Sequence, residues 1–381
     1  MDFLLSEDQK QLRDTIRNFC QKEIQPIVKE IDEKGVWPPD LTRKLAGLGL
    51  LGIVIPPEYS GCGYSNLDYV IILEEISKID PAVGLVVAAH NSLAANHLNL
   101  FGTPSQKEKY LTRLASGQTL GAWALTEAGA GSDAAAMTTR AEKKGDDWVL
   151  NGNKQFITNG SNAEIAVIMA YSDPSKGRNG ISAFILEKGM EGFQPGKKLD
   201  KLGIRASDTS ELILEDVKVP ADNLLGEEGK GYRAAMAILD GGRVSIAAFS
   251  LGIAAGALEC SLKYAKERVQ FDQPIANFQA IQWMLADGFT ELEAARLLTY
   301  RAACLEDQGK KIPKESAMAK LFASELAVKA SGWAVQILGG YGFIKDYPAE
   351  KFYRDCKVAT IGEGTSEIQR SIIAQRLLSE F

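Results

Sequence analysis

Residues 148–158 read WVLNGNKQFIT, and this stretch decides the fold class that the sequence predicts. Residues 148–150 and 155–158 are rich in aromatic and β-branched side chains, which favour strands. Asn151-Gly152 lies between them and is the dipeptide most typical of a two-residue hairpin turn. We therefore predict a β-hairpin here, with further strands at residues 166–171, 182–186 and 211–214.

Helical patterns flank this β segment on both sides. Before it, a capping box at Ser6 and Gln9 opens the first of several helices. After Gly226, long apolar segments at about 231–268, 278–308, 313–338 and 364–379 have short connections, which is typical of a helical bundle. The predicted fold class is mainly α with a central β domain: an α-helical N-terminal domain at 1–120, a β-barrel-like middle domain at 121–228 and a C-terminal four-helix bundle at 229–381.

The composition is that of an ordinary globular protein, with 381 residues, 45% of them hydrophobic and 24% charged. The net charge of −6 gives no electrostatic reason to expect nucleic acid or an anionic membrane as a partner. Five scattered cysteines without a CxxC pair fit free thiols in a reducing compartment, and two histidines argue against a Ser-His-Asp triad or a metal site. The N-terminus carries no targeting signature, so we expect a cytoplasmic protein, and apolar residues 244–258 predict a buried helix.

A single carboxylate marks the candidate centre of the site. Residues 361–370 read IGEGTSEIQR and place Glu363 between Gly362 and Gly364. Thr365 or Ser366 can cap the helix that follows, and the small neighbours leave room for a ligand to approach the carboxylate and its backbone N–H. The alternative interpretation is an ordinary acidic residue before an ordinary helix cap.

A second stretch, residues 123–133, reads WALTEAGAGSD and can approach a ligand closely through its backbone. Thr126 and Ser132 add hydroxyls at a spacing suited to a planar heterocycle, although a plain glycine-rich loop would look the same. Phe156 follows on a strand near this loop, where it could contact the same ligand or simply pack in the core.

Three further motifs carry weaker signals. Arg268 lies between two helices and suits a diphosphate, because its planar guanidinium donates paired bonds, but an unpaired surface arginine is the ordinary alternative. Residues 336–340 read QILGG and could bind a ligand or merely end a helix. Residues 47–52 match G-x-G-x-x-G without a preceding strand, so we interpret them as a helix end and not as a dinucleotide site.

Taken together, these stretches resemble the acyl-CoA dehydrogenase family, flavoproteins that desaturate acyl-CoA thioesters between Cα and Cβ. The resemblance covers essentially the whole chain in the family's order. It rests on LTEAGAGSD, FITNG, GIRASDTSEL, DVKVP, GEEGKGY, RVQFDQPIANFQ, QILGGYG and IGEGTSEIQR.

The resemblance assigns roles to particular residues. Glu363 matches the catalytic base, while Gly242 stands where one branch of the family carries its base and cannot serve. The implied FAD contacts are Trp123, Leu125, Thr126, Gly131, Ser132, Phe156, Ile157, Thr158, Arg268, Phe271, Gln279, Gln336, Ile337, Leu338, Gly339, Gly340, Thr365, Ser366 and Glu367. The implied acyl-CoA contacts are Ser132, Asp240, Arg243, Gly362 and Gly364.

The resemblance also implies partners. It implies a homotetramer in which Arg268 and Gln279 reach the FAD of a neighbouring subunit, and an electron-transferring flavoprotein as electron acceptor. Gly362 departs from the tyrosine that most short- and medium-chain members carry, which should widen the pocket beside the base. The wall at the far end of that pocket would be Leu85, Val86, Ala89 and His90, mostly apolar, with His90 either a polar exception or a packed histidine.

The function that the resemblance implies is an FAD-dependent acyl-CoA dehydrogenase forming an α,β-double bond in a short, branched or alicyclic acyl-CoA. A dry site should raise the pKa of Glu363 and make it a stronger base. One alternative is an acyl-CoA oxidase or flavin monooxygenase on the same fold, since function sits in sites grafted onto folds. The other is a non-catalytic acyl-CoA-binding protein, which an intact Glu363 argues against.

Overall fold

Helices build the first part of the chain in the computed structural model, which describes residues 4–380. These helices are α1 (Glu7–Phe19), α2 (Val28–Lys34), α3 (Pro39–Gly47), α4 (Asn66–Ile79), α5 (Pro81–Ala88), α6 (Asn96–Phe101), α7 (Pro104–Gln106) and α8 (Thr112–Ala115). The predicted capping box of α1 is confirmed, because Ser6 Oγ accepts a bond from the Gln9 N–H at 3.2 Å. Residues 1–3 and 381, the outer ends of the predicted first and third domains, lie outside the described residues.

A mixed sheet forms the middle of the chain. Its strands are β1 (Gly121–Ala124), β2 (Arg140–Lys144), β3 (Asp147–Thr158), β4 (Ile165–Tyr171), β5 (Ile181–Glu187), β6 (Phe193–Lys198), β7 (Thr209–Pro220) and β8 (Leu224–Leu225). Seven of the eight strands follow the order β6-β7-β3-β2-β4-β5-β8, and the eighth, β1, pairs in parallel with β4. The predicted fold class, mainly α with a central β domain, is confirmed, and within residues 4–380 the sheet is open rather than a closed barrel.

The predicted hairpin at Asn151-Gly152 is wrong, because residues 147–158 form the single strand β3. Both halves of β3 pair with β7, from Asp147 opposite Pro220 to Thr158 opposite Thr209. The Asn-Gly pair lies at a register shift in this ladder, where Gly152 has a φ of 148°. The register shift makes this pair a β-bulge and not a turn, and a Cβ at Gly152 would lie 2.4 Å from the Thr139 hydroxyl oxygen.

Helices return after the sheet. The elements are α9 (Gly231–Glu267), β9 (Val269–Gln270), β10 (Gln273–Pro274), α10 (Gln279–Asp307), α11 (Pro313–Leu338), α12 (Ala349–Asp355) and α13 (Ser366–Glu380). Residues 244–258 of α9 are all buried, which confirms the predicted buried helix. Helix α9 is long and apolar enough to cross a membrane, but 89% of its most apolar 18 residues are buried inside the molecule, as expected for a core helix.

Helix α9 is the axis that brings the site residues together. It packs against α10 and α11 in the C-terminal part and against α4 from the N-terminal part. The α4 contact is close because Gly252 and Gly256 have no side chains there: a Cβ at either would lie within 2.6 Å of a backbone oxygen of α4. The main hydrophobic core therefore runs through both helical parts, and the loop before α13 rests against α9 and α11.

Candidate active site

The loop before α13 holds Glu363 in an unusual backbone conformation. Glu363 has a φ of 53° and Gly364 a φ of 96°, in a region that costs a non-glycine residue free energy. Gln369 Nε2 donates to the carbonyl oxygens of Glu363 and Gly364 at 3.1 and 2.9 Å. Lys320 Nζ donates to the Gly364 carbonyl at 2.7 Å. Two side chains from different helices therefore hold the strained segment in place.

The helix cap beside this loop is Thr365. Its hydroxyl oxygen accepts a bond from the Ile368 N–H at 3.4 Å, at the start of α13. Of the two residues that the sequence offered as caps, Ser366 is the one that does not cap, and its buried hydroxyl has no hydrogen-bond partner among residues 4–380.

The Glu363 carboxyl group is buried and has a raised pKa. Its Oε2 atom is buried and accepts no hydrogen bond from the described residues. Burial raises the pKa of Glu363 to about 7, against an ordinary value of 4.5, while the charges of Lys320 and Arg243 act in the opposite direction. A carboxylate with this pKa is a far stronger base than a solvated one, and about half of the molecules carry it in ionised form at pH 7.

Two adjacent glycines of α9 make room for two carboxyl groups. A Cβ at Gly242 would lie 2.1 Å from Glu363 Oε2, and a Cβ at Gly241 would lie 2.8 Å from Oε1 of Glu306 on α10. Gly242 thus does more than lack a carboxylate of its own, because its missing side chain is the space that the Glu363 carboxyl group fills.

Charged and phenolic groups surround this pocket. Arg243 donates to the Asp240 carboxylate one helical turn away, and its buried Nε has no partner within the described chain. Burial raises the pKa of Asp240, although Arg243 opposes the shift. Tyr69 of α4 is buried, and its hydroxyl lies 3.4 Å from the Ala88 carbonyl. Burial, Asp307 and Asp240 raise the pKa of Glu306 to about 7, which leaves a second weakly acidic carboxyl group nearby.

The glycine-rich loop after β1 is fixed from beneath by a buried ion pair. Lys154 Nζ lies 2.8 Å from Glu127 Oε1 and also donates to the Leu125 carbonyl at 3.1 Å. Thr138 and Thr139 donate to the same carboxylate through both backbone and hydroxyl groups. Burial alone would raise the pKa of Glu127, but Lys154 and these donors bring it down to about 2.

The upper side of that loop is open. A Cβ at Gly129 or Gly131 would meet no atom within 4 Å. The Gln155 N–H donates to the Thr126 carbonyl at 2.9 Å, which joins the loop to β3. Phe156, two residues before the end of β3, is 62% exposed, so it is not a core residue. These residues leave a free surface on which a planar ligand can lie.

Three of the residues matched to flavin contacts have mostly buried side chains. Leu125 and Ile157 lie in the hydrophobic cores on the two faces of the sheet, so their backbone atoms are what a cofactor could reach. Trp123 is half-buried, and its indole N–H donates to His97 Nδ1 at 2.9 Å. This bond fixes the orientation of the indole ring.

Arg268 lines a separate cleft of about 480 Å³. Its lining includes Arg268, Tyr341 and residues 337–340, and the Arg268 guanidinium lies 5.7 Å from the centre of the Tyr341 ring. Gln336 precedes this lining in the last turn of α11, and Gln279 is the first residue of α10. Phe271 is 87% exposed, with its ring edge-on to Phe278.

The structure therefore sorts the predicted residues into groups. Glu363, Gly364, Asp240 and Arg243 meet around α9, and Thr126 and Phe156 share the β-domain surface. Between residues 4 and 380, no hydrogen bond, ion pair or ring contact joins the Arg268 cleft to either of these groups. The donors fit the implied FAD, because the cleft offers a guanidinium and open glycines at 339 and 340 that a diphosphate can approach.

Sequence reasoning missed Lys320, Gln369 and the Glu127–Lys154 pair. Lys320 had a readable signal, since it lies among small residues on the buried face of an otherwise apolar helical pattern. Gln369 and Lys154 had none, because each acts on backbone groups whose position only the folded chain defines.

Comparison with known proteins gives a consistent result along the whole chain. Three family models match in order: the acyl-CoA dehydrogenase N-terminal domain at residues 6–118, the middle domain at 122–217 and the C-terminal domain at 229–378. The chain is 47% identical over 377 residues to the short-chain specific acyl-CoA dehydrogenase of Clostridium acetobutylicum, covering 99% of this chain and 100% of the relative.

Two solved structures are similar over 99% of this chain and 100% of their own. The butyryl-CoA dehydrogenase of Megasphaera elsdenii has a TM-score of 0.97 at 46% identity. A chain from a structure described as the electron transferring flavoprotein of Acidaminococcus fermentans has a TM-score of 0.98 at 49% identity.

Proposed function

This chain belongs to the acyl-CoA dehydrogenase family, and from that premise we propose how its own residues carry out the reaction and which substrates it takes. It is an FAD-dependent oxidoreductase that forms an α,β-double bond in a short acyl-CoA thioester. The observation that carries the residue assignment is the buried Glu363 carboxyl group, which has a free Oε2 and a pKa of about 7.

Glu363 takes the α-proton of the bound thioester. Its raised pKa reduces the difference from the pKa of the weakly acidic C–H bond, and burial of the carboxyl group limits competition from water. The Glu363 N–H makes no hydrogen bond within the described chain, so it can donate to the thioester oxygen as negative charge develops there. Bound FAD supplies the acceptor for the hydride that leaves the β-carbon. The substrate thus loses one proton and one hydride, and the double bond forms between the two carbons.

The positive charges around Glu363 limit how far burial raises its pKa. Burial raises the pKa of the Glu363 carboxyl group, and the charges of Lys320 and Arg243 act against that rise. Because Asp240 balances Arg243, the pocket does not carry a large excess of positive charge. The base is therefore ionised in a useful fraction of molecules and still strong when it is ionised.

The space at Gly362 supports a wide, short acyl group. The nearest atom that a Cβ would meet there is the Val358 carbonyl oxygen at 3.5 Å, so the side of the loop is unobstructed. We propose that branched or alicyclic acyl groups use this space. His90 does not make that pocket polar, because its ring nitrogens bond the backbone of Leu51, Leu114 and Gly121.

We also propose a homotetramer. Phe271, Phe343 and Trp283 are large exposed apolar side chains in the C-terminal part, which supports burial against another subunit. The separation of the Arg268 cleft from the loop after β1 within one chain supports the idea that each flavin is bound by two subunits. The mass of the native protein tests this proposal, and a flavin-loaded monomer would contradict it.

The proposed electron acceptor is an electron-transferring flavoprotein. A chain similar to this one occurs in the structure described by that name from A. fermentans, which supports the assignment. The bacterial relatives likewise support a cytoplasmic location as a proposal.

The test is an anaerobic titration of the flavin-loaded protein with straight, branched and alicyclic short acyl-CoA esters. We expect the flavin absorbance to bleach, most efficiently with the wide esters. Oxygen consumption that matches product formation in air would favour the oxidase alternative. A protein that binds the esters and never bleaches would contradict the proposed function.

A further inference from the structure

Lys320 is a buried cation beside the proposed base. It lies in the middle of α11 with no exposed side-chain surface. Its Nζ donates to the Gly364 carbonyl at 2.7 Å, and no carboxylate of residues 4–380 lies within 4.0 Å of it. A buried ammonium with one neutral acceptor is costly unless an anion lies close by. A favourable interaction with the nearby site must therefore offset the free-energy cost of burying the Lys320 ammonium.

The charges around Glu363 show what Lys320 adds. Lys320 faces Glu363 from α11, Arg243 from α9 and Tyr69 from α4. Arg243 is bonded to Asp240, so its charge is largely balanced. The pKa of Lys320 also responds to the charges of Arg243, Glu367 and Glu325. The pKa of Tyr69 responds to the charge of Glu306 on α10. Lys320 is thus the cation near Glu363 that lacks an ion pair of its own.

We propose that Lys320 is a positioning residue for the base: its ammonium holds the Gly364 carbonyl, and with it the left-handed backbone of Glu363, and its charge favours the ionised carboxylate. This inference rests on the proposed role of Glu363. Gln369 shares the first task, since it donates to the same carbonyl, but a neutral amide cannot perform the second.

The directions of the pKa shifts of Lys320 and Glu363 agree with the proposed effect of the lysine charge. Burial lowers the pKa of Lys320 to about 8, and Glu363 acts in the opposite direction. Since the pKa of Glu363 is about 7, the two groups carry opposite charges together in the interval between these values. Removal of the lysine charge should therefore move the protonation of Glu363 to higher pH.

The experiment measures the rate of anaerobic flavin reduction by butyryl-CoA in the loaded protein as a function of pH. Lys320→Met removes the charge, and Lys320→Gln removes the charge but can keep a hydrogen-bond donor. Both variants lack the charge, so the test can be made with either one that folds. We expect the acid limb of the pH–rate profile to move to higher pH by about one unit. At pH values on this limb, the variant should therefore reduce its flavin about tenfold more slowly than the wild type. Gln369→Leu is the matched control, because it removes a bond to the same carbonyl without changing charge, and its acid limb should stay in place.

A second readout follows the Glu363 carboxyl group without turnover. Infrared titration identifies its protonated C=O band as the one lost in Glu363→Gln, and this band should persist to higher pH in the Lys320 variants. An unshifted band and limb in those variants, or an equal shift in Gln369→Leu, would overturn the inference. If the band shifts while Glu363→Gln still reduces its flavin, the base assignment fails and the Lys320 coupling stands.

Discussion

Gly242→Ala is a small change that tests the geometry of the base. The structure leaves no room for the new methyl group, since the Cβ would lie 2.1 Å from Glu363 Oε2 and 3.3 Å from Leu93 Cδ2. The helix itself tolerates the change, because alanine is favoured over glycine in a helix interior by about 1 kcal/mol. Any loss of function must therefore come from movement of the carboxyl group and not from a weaker α9.

The size of the effect follows from the overlap. An ordinary contact of a Cβ needs about 3.4 Å, against the 2.1 Å found here, so Glu363 Oε2 must move by at least about 1 Å. A misplacement of about 1 Å can cost about 10²-fold in rate when the reacting atoms are held in one geometry. We therefore expect Gly242→Ala to slow flavin reduction by about 10- to 100-fold, with substrate affinity and folding preserved.

The assay is stopped-flow flavin reduction under anaerobic conditions, with thermal unfolding as the check on folding. Gly241→Ala is the matched control in the same helix: its Cβ would meet only the far end of Glu306, a flexible side chain that can turn away. It should change the reduction rate by less than about threefold. Equal losses in the two variants, or an unaffected Gly242→Ala, would refute the reasoning.

Three further predictions follow from the same geometry. Lys154→Met leaves the Glu127 carboxylate buried without its cation, which costs about 3–5 kcal/mol; the unfolding temperature and flavin content should fall, and the exposed control Lys144→Met should change neither. As pH rises from 4.5 to 7, the free energy of unfolding of Glu363→Gln should increase relative to that of the wild type by about 3 kcal/mol. The reason is that the folded wild type keeps Glu363 protonated while the unfolded chain ionises it, so the wild type loses stability over this interval and the glutamine variant does not. A difference between the two free energies of unfolding that does not change with pH would contradict this. Gly362→Tyr should lower kcat/KM for branched and cyclic esters far more than for butyryl-CoA, within about 1–3 kcal/mol of discrimination, and an equal loss on both substrate classes would rule out the wide pocket.

The sequence predicted the fold class because periodicity changes sharply at the β segment. Residues 148–158 were rightly predicted as β structure, yet the Asn-Gly pair was given the wrong role. A hairpin turn and a β-bulge have similar local chemistry, and the difference depends on whether both halves pair with the same neighbouring strand. The partner of Gly152 on β7 is Leu214, about sixty residues further along the chain, which a local argument could not include.

The loop around Glu363 was identifiable from local sequence, since glycines and a capping hydroxyl flank one carboxylate. What controls that carboxylate was not, because Lys320 reaches the loop from 44 residues earlier in the chain. The role of Gly242 in the packing was also hidden: the sequence showed that it cannot act as a base, and only the folded chain shows that it makes space for the Glu363 carboxyl group. Local patterns predict which group reacts, whereas tertiary contacts set its pKa and orientation.

Glu363→Gln tests the central claim most directly, measured as the rate of anaerobic flavin reduction by butyryl-CoA in the loaded protein. The amide is nearly the same size as the carboxylate, so FAD and acyl-CoA should still bind, while the α-proton has no acceptor. We expect the rate to fall by at least about 10²–10⁴-fold, the contribution of a general base. Reduction at a rate close to that of the wild type would contradict the assignment of Glu363 as the base.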